Sequence, residues 1–284
     1  MTDKPLSFAP PSFNVACIQY YASADIDADI NLAEQLIADA VAAGAGLVVL
    51  PELCAGLAIT DGNLRPVAFP PEKHPALERL SAFARAQLVE VLIGSLAVEE
   101  NGQLRNRSFH VDRTGKVIAQ YDKIHMFDID LGPGRSYRES ATFTPGDQGI
   151  LTRTHDVSAG MAVCYDLRFP ELFRDYATAG AGILFLPAAF TQTTGEAHWH
   201  SLLRARAIEN GAYVIAAGQC GSGPNGAMFG HSLIIDPWGC VLADAGANEG
   251  FCLAAVNPQK IRTTREKIPA LANRRVYSIE LPEK

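Results

Sequence analysis

Short apolar runs and helical spacing alternate along the first part of the chain. Residues 14–19 and 47–50 are largely apolar runs of strand length, and apolar positions three or four apart between residues 30 and 41 indicate one face of a helix. The second run is apolar throughout and ends at Pro51, which is typical of a strand covered on both faces. The chain is therefore predicted to begin with a strand–helix–strand unit.

The same alternation continues toward the C-terminus. Helices are predicted at residues 77–88, 171–178 and 199–210, and strands at residues 91–95, 159–165, 183–186, 213–217, 232–235 and 251–256. Two segments of alternating polarity, 108–112 and 116–121, are joined by Thr114-Gly115 and predict a hairpin. Because no linker separates the halves, we expect residues 1–284 to form one α/β domain, with helices outside and two sheets packed together.

Residues 127–149 interrupt this pattern. The segment is rich in glycine and proline and has too little periodicity for a regular element. A long loop of this kind in a compact protein is typical of a functional segment that covers a site.

Composition narrows the classes of protein and partner. The 284 residues are 48% hydrophobic and 19% charged, with 24 basic and 31 acidic side chains and a net charge of −7. These values exclude a disordered or fibrous protein, and the absence of a basic run argues against nucleic acid or an anionic membrane as partner. With no secretory leader and no apolar run of the roughly 18 residues that a membrane helix needs, we expect a cytoplasmic protein with a small-molecule ligand.

The cysteines and histidines do not predict a metal site. The six cysteines lack metal-type spacing and are too few for a disulfide framework in a chain of this length, so we expect reduced thiols. His198 and His200, beside Glu196, face different sides of a helix, and no third ligand follows at a recognisable spacing. Neither a metal nor an organic cofactor is expected.

Three polar residues stand at the ends of apolar strands, where α/β folds place reacting groups. Glu52 could be a general base whose pKa is raised by partial burial, or an acid that caps a helix. Cys164 could be a nucleophile activated by a neighbouring base or cation, or a core cysteine. Lys123 could stabilise an oxyanion, or be an ordinary surface lysine.

Two further charged residues have open roles. Glu139 lies in the glycine-rich loop and could orient Lys123 or position a substrate, or be a solvated loop charge. Arg168 follows Cys164 by about one helical turn and could clamp a substrate carboxylate, or pair with Asp166 or Glu171.

Taken together, these segments resemble the nitrilase superfamily of carbon–nitrogen hydrolases. The motifs are LVVLPEL around Glu52, YDKIHMFD around Lys123, YRES around Glu139 and GMAVCYDLRFPELFR around Cys164. The resemblance implies a four-layer αββα sandwich in which Glu52 is the general base, Lys123 the oxyanion stabiliser and Cys164 the nucleophile. It also implies that Glu139 is a second catalytic glutamate.

The second half resembles a branch of small amidases within that superfamily. The segments AFTQTTGEAHWHSLLRARAIENGAYVIAAGQCG and GHSLIIDPWG imply hydrolysis of an amide of a 2-oxo acid through a thioester, with deaminated glutathione the first candidate and 2-oxoglutaramate or 2-oxosuccinamate the alternative. Tyr165, Arg168, Phe190 and Thr194 are the expected substrate-binding residues. The resemblance also implies a homodimer or higher homo-oligomer. A nitrilase, an N-carbamoyl hydrolase and an inactive interaction protein are the remaining alternatives.

Overall fold

The computed structural model describes residues 10–60, 63–130, 132 and 136–282. Its helices are α1 Ile26–Ala42, α2 Pro75–Gln87, α3 Pro170–Thr178, α4 Gln192–Asn210 and α5 Pro258–Lys267, with 3-10 turns at Pro71–Lys73, Glu139–Ala141 and Cys164–Arg168. None of the helices in these ranges is both long and apolar enough to cross a membrane.

The strands fall into two large sheets and three small pairs. In chain order they are β1 Phe13–Gln19, β2 Leu47–Val49, β3 Ile59–Thr60, β4 Asn63–Leu64, β5 Glu90–Glu100, β6 Gln103–Val111, β7 Val117–Asp122, β8 Asp128–Asp130, β9 Ser136–Arg138, β10 Ile150–Thr154, β11 Val157–Met161, β12 Ile183–Phe185, β13 Tyr213–Ala216, β14 Cys220–Gly223, β15 Gly226–Phe229, β16 Leu233–Ile235, β17 Val241–Asp244 and β18 Gly250–Val256.

The two large sheets share one topology. The first has the order β18-β1-β2-β5-β6-β7 and the second the order β10-β11-β12-β13-β16-β17. In each sheet the second, third and fourth strands in this order are parallel, and the remaining neighbours are antiparallel. The predicted hairpin is confirmed as β6 and β7, and the chain repeats one αβ pattern in its two halves.

Alternating side chains on each strand separate the layers. In β1, Val15 and Cys17 pack with Phe185 of the second sheet in one buried core, whereas Ala16 and Ile18 pack with the helices α1 and α2. Each large apolar side chain buried in this way contributes about 1.5–3 kcal/mol to folding. With α3 and α4 packed on the second sheet, the layers are helix, sheet, sheet, helix, which confirms the αββα sandwich.

Several predicted boundaries need correction. The strand predicted at 159–165 ends at Met161, and Cys164 instead begins a 3-10 turn. Helix α4 begins seven residues before the predicted start, because its first two turns are polar and carry no apolar spacing. The loop 127–149 contains the small pair β8–β9 and a 3-10 turn, although residues 131 and 133–135 lie outside the described residues.

Candidate active site

The structure brings Glu52, Lys123 and Cys164 to one edge of the sandwich. Lys123 directly follows β7, while Glu52 and Cys164 each lie three residues beyond a parallel strand, β2 and β11. All three side chains are buried. Glu52 and Cys164 thus both lie beyond the carboxyl end of a parallel strand, one in each large sheet.

Lys123 is held between two carboxylates. Its Nζ donates to Glu52 Oε1 at 2.8 Å and to Glu139 Oε2 and Oε1 at 2.7 and 3.0 Å. The backbone N–H of Ala189 donates to Glu52 Oε2 at 2.8 Å, and that of Phe127 donates to Glu139 Oε2 at 2.6 Å. Every carboxylate oxygen of the pair therefore has a donor, and the lysine is fixed in position.

Asn106 is a site residue that the sequence did not predict. Its Nδ2 donates to Glu52 Oε1 at 3.0 Å and to Glu139 Oε1 at 3.1 Å, so one amide bridges both carboxylates. Among the described residues, its Oδ1 is buried without a hydrogen-bond partner. One feature of the sequence could have identified Asn106: it lies on β6 close to the buried run Ser108–Val111, and buried polar side chains need hydrogen-bond partners.

The pKa of Glu52 is lowered, whereas the sequence analysis expected partial burial to raise it. Burial raises its pKa most strongly of any single cause, but the charge and hydrogen bond of Lys123 together with hydrogen bonds from Cys164 and the Ala189 N–H outweigh burial, so the pKa lies below its usual value. Burial opposes the charge of Lys123, and Glu139 and Glu52 more than offset that effect, so the lysine pKa lies well above its usual value. The resting state contains a charged lysine and a charged Glu52.

Cys164 has a strained backbone and a protonated thiol. Its φ of +50° is in the left-handed region, which costs a non-glycine residue of order 1–3 kcal/mol, and its N–H donates to Pro187 O at 2.9 Å. Burial and the charge of Glu52 raise the thiol pKa well above its usual value, and the opposing effect of Lys123 is smaller. The protonated thiol is therefore favoured over the thiolate at rest, although Lys123 lies nearby.

Asp166 connects the turn at Cys164 to the segment that carries Lys123. Its buried carboxylate accepts from Tyr121 Oη at 2.7 Å and from the backbone N–H groups of Val163 at 2.7 Å and His125 at 3.1 Å. Its Oδ1 also lies 2.7 Å from His125 Nδ1. Asp166 is thus engaged on both sides and does not pair with Arg168.

A cavity opens above these residues and is mostly apolar. Besides Glu52, Lys123, Glu139 and Cys164, its lining includes Leu53, Leu57, Phe127, Tyr137, Arg138, Phe190, Thr194, Asn225 and Met228. The predicted substrate contacts Phe190 and Thr194 are part of this wall. The other two, Tyr165 and Arg168, do not line the cavity: the Arg168 guanidinium is 5.5 Å from the centre of the Phe190 ring and 3.3 Å from His198 Nδ1.

Comparison with known proteins places this arrangement in a family. The sequence-family model described as carbon-nitrogen hydrolase matches residues 14–266 of this chain. A deaminated glutathione amidase of Synechocystis sp. is 38% identical over 268 residues, which cover 91% of this chain and 97% of that protein. The human omega-amidase NIT2 is 34% identical over 278 residues, which cover 95% and 98% of the two chains.

A solved structure agrees in fold. Nit3 of Saccharomyces cerevisiae, a member of branch 10 of the nitrilase superfamily, superposes with a TM-score of 0.81 at 29% identity and covers 92% of this chain and 96% of its own. The chain therefore belongs to the carbon–nitrogen hydrolase family, within the nitrilase superfamily that its motifs resemble, and is a hydrolase that acts on amides.

Proposed function

We propose that Cys164, Glu52 and Lys123 form a catalytic triad that hydrolyses an amide through a thioester. The observation that carries the proposal is a buried Lys123 fixed between Glu52 and Glu139 beside the Cys164 thiol, at the base of a cavity. A nucleophile, a base and a cation are thereby in one place, and these are the groups that acyl transfer needs.

The steps follow from the protonation states. As Cys164 Sγ attacks the amide carbon, the thiol proton passes to Glu52, whose carboxylate is charged at rest. The oxyanion is stabilised by Lys123 and by the backbone N–H of Tyr165, which lies in the first turn of the 3-10 segment that begins at Cys164. Glu52 returns the proton to the departing amine, leaving a thioester. It then takes a proton from the attacking water, and the acid leaves as the thiol is restored.

Glu139 has a positioning role in this scheme. Both of its oxygens accept from Lys123, and its Oε2 is fixed by the Phe127 N–H. It holds the ammonium group toward the thiol while Glu52 exchanges its proton. Because both Glu139 oxygens still accept from the ammonium group, Lys123 keeps a hydrogen-bond partner when Glu52 takes the thiol proton.

The proposed substrate is deaminated glutathione, a 2-oxo acid amide. The support is the name of the Synechocystis relative and a cavity that adds the Arg138 cation to an apolar wall. The human relative is named an omega-amidase, so 2-oxoglutaramate or 2-oxosuccinamate is the alternative. We further propose a cytoplasmic homodimer or higher homo-oligomer.

Replacement of the nucleophile tests the mechanism. Cys164→Ala should lower kcat by at least about a thousandfold with an unchanged circular dichroism spectrum, because covalent catalysis is lost while folding is not. Cys240→Ala, at an exposed free cysteine, is the matched control and should keep full activity. Hydrolysis at the wild-type rate in Cys164→Ala would exclude the triad, and rapid quenching of the wild type should reveal an acyl group on Cys164 by mass spectrometry.

A ratio of specificity constants tests the substrate. The value of kcat/KM for deaminated glutathione, measured by release of the glycine-containing dipeptide, should exceed the value for 2-oxoglutaramate, measured by release of ammonia. The reverse ratio supports the omega-amidase alternative. Turnover of neither compound, but of a nitrile or an N-carbamoyl amino acid, would exclude the substrate class and leave the triad in place.

A further inference from the structure

Two histidines and an aspartate meet on the surface away from the lining of the cavity. His200 lies on α4, His231 lies two residues before β16, and Asp244 ends β17. Asp244 Oδ2 is 3.2 Å from His200 Nε2, and Asp244 Oδ1 is 3.0 Å from His231 Nδ1. One donor atom from each side chain lies within 4.8 Å of the other two. The three groups therefore converge on one point.

The backbone around these side chains is fixed by hydrogen bonds. The indole N–H of Trp199, a fully buried residue next to His200, donates to His231 O at 2.7 Å. The N–H of His231 donates to Gly246 O, and the N–H of Gly246 donates to Asp244 Oδ1 at 2.8 Å. The helix, the segment before β16 and the end of β17 are thus tied together, so the convergence does not depend on loose surface side chains.

A buried aromatic ring supports the two imidazoles. Phe229 stacks on His231 with ring centres 4.6 Å apart and meets the edge of His200 at 6.1 Å. Its backbone N–H donates to Phe190 O at 2.9 Å, and Phe190 lines the cavity. The ring restricts the rotamers of both histidines and joins the cluster to the wall of the cavity.

We propose that His200, His231 and Asp244 form a binding site for a divalent transition-metal ion of the zinc class. Nitrogen and oxygen ligands about 2.1 Å from a tetrahedral zinc ion are about 3.4 Å apart, close to the 3.2 Å that separates Asp244 Oδ2 from both His200 Nε2 and His231 Nδ1. The side chains are 29–39% exposed, so water completes the coordination.

Binding requires only a change of tautomer. Without an ion, His200 Nε2 and His231 Nδ1 can each donate a proton to Asp244. With the ion bound, each neutral ring carries its proton on the other nitrogen, and Asp244 and the two freed nitrogen lone pairs become the ligands. A carboxylate and two neutral imidazoles leave one positive charge on a divalent complex, so the site stays open to an anion or hydroxide.

The sequence could not reveal this site. His198 and His200 form the visible HxH pair, but His198 turns toward Arg168. The true partners of His200 are 31 and 44 residues away and reach it only through the pairing of β16 with β17. No metal was expected because the sequence shows no third ligand near His198 and His200. The fold instead brings His231 and Asp244 to His200.

Zinc binding to the purified full-length protein, measured by competition with a chromophoric chelator, tests the proposal. The wild type should bind one ion at this site, and His200→Ala on the exposed helix face should weaken binding at least tenfold, since loss even of an outer hydrogen-bond partner costs about 10–100-fold. Asp244→Asn, which can still accept from Gly246, should do the same. His198→Ala is the control and should bind as the wild type does.

The cobalt spectrum distinguishes this site from a thiol site. Co²⁺ bound by the cluster gives ligand-field bands without a sulfur-to-cobalt charge-transfer band, whereas binding at a cysteine gives both. Equal affinity in the wild type and His200→Ala, a charge-transfer band in the wild type, or no binding by the wild type would each overturn the proposal. Unchanged circular dichroism of His200→Ala ensures that lost binding reflects the missing ligand.

Discussion

At the scale of single residues, two arginines are candidates for binding an anionic substrate. Lys123 is not free for this role, because Glu52 and Glu139 compensate its charge. Arg138 lines the cavity and forms no ion pair among the described residues, whereas Arg168, the candidate from the sequence, is not among the lining residues, packs over the Phe190 ring and contacts His198. The positions favour Arg138 as the group that binds a substrate carboxylate.

Neutralising each arginine separates these candidates. Arg138→Met should raise KM for a carboxylate-bearing amide by about 10–100-fold with little change in kcat, because a hydrogen bond to a charged group contributes about 1.5–3 kcal/mol. Arg168→Met should have a smaller effect. For an uncharged amide of similar size, both variants should match the wild type. A larger effect of Arg168→Met on the anionic substrate would instead assign the carboxylate to Arg168.

Asn106 is expected to influence the pKa of Glu52. Its amide donates to Glu52 Oε1 at 3.0 Å, and a hydrogen bond of this kind favours the charged form of the carboxylate. Asn106→Leu, of similar volume, removes that support and should raise the pKa of Glu52, which Lys123 holds below its usual value. In the proposed mechanism Glu52 must be charged to accept a proton. As the pH is lowered, the variant should therefore lose activity at a higher pH than the wild type does. The pH profile of kcat/KM measures this shift, and an unchanged acid limb would contradict it.

At the scale of elements, the 3-10 turn at Cys164 is connected by hydrogen bonds to β7, a strand of the other large sheet. Tyr121 on β7 donates to Asp166, which also accepts from the N–H of Val163 just before Cys164. Tyr121→Phe removes a donor from a buried carboxylate and should lower the free energy of unfolding by about 1–3 kcal/mol. It should also lower kcat more than it changes KM, because the turn is displaced relative to Lys123.

A matched tyrosine controls for lost stability. Tyr213 on β13 is also buried, and its hydroxyl contacts the backbone of Asn257 beside α5. Tyr213→Phe should lower the free energy of unfolding without lowering kcat. Equal kcat in both variants would show that the bond from Tyr121 to Asp166 only stabilises the fold. Denaturant unfolding and steady-state kinetics provide the two measurements.

The elements also show what the sequence could predict. Apolar runs located β1, β2, β12 and β13, since a strand covered on both faces leaves an unmistakable pattern. Strand β17 and helix α5 were not predicted because β17 lies at an exposed edge and α5 has few apolar positions. Strand-end position and motif identified Glu52, Lys123 and Cys164, but Asn106 acts through contacts between strands that only the register defines.

At the scale of the whole molecule, the repeated topology explains why the site needs both sheets. Glu52 and Lys123 follow strands of the first sheet and Cys164 follows a strand of the second. Ala189, beyond β12, donates to Glu52 across the interface between the sheets. Neither half contains the cluster alone, which supports the expectation that the chain acts as one catalytic unit.

The C-terminal segment leaves apolar side chains without cover within the described residues. Val276, Tyr277, Ile279 and Leu281 are 79–103% exposed, and Ile208 on α4 and Trp238 are about half exposed. Large apolar side chains in one short stretch indicate a surface that another molecule buries. The proposed homo-oligomer provides such a partner, because each copy has both the C-terminal segment and the half-exposed Ile208 of α4.

Deleting residues 275–284 tests this assembly. The wild type should sediment as a dimer or larger species at micromolar concentration, and the shortened chain should sediment as a monomer with unchanged circular dichroism, since the deleted segment includes no helix or strand of the described fold. Replacing Val276, Tyr277, Ile279 and Leu281 by serine in the full-length chain should have the same effect, which separates lost apolar contact from lost length. A monomeric wild type, or a deletion variant that still dimerises, would show that this segment does not hold subunits together.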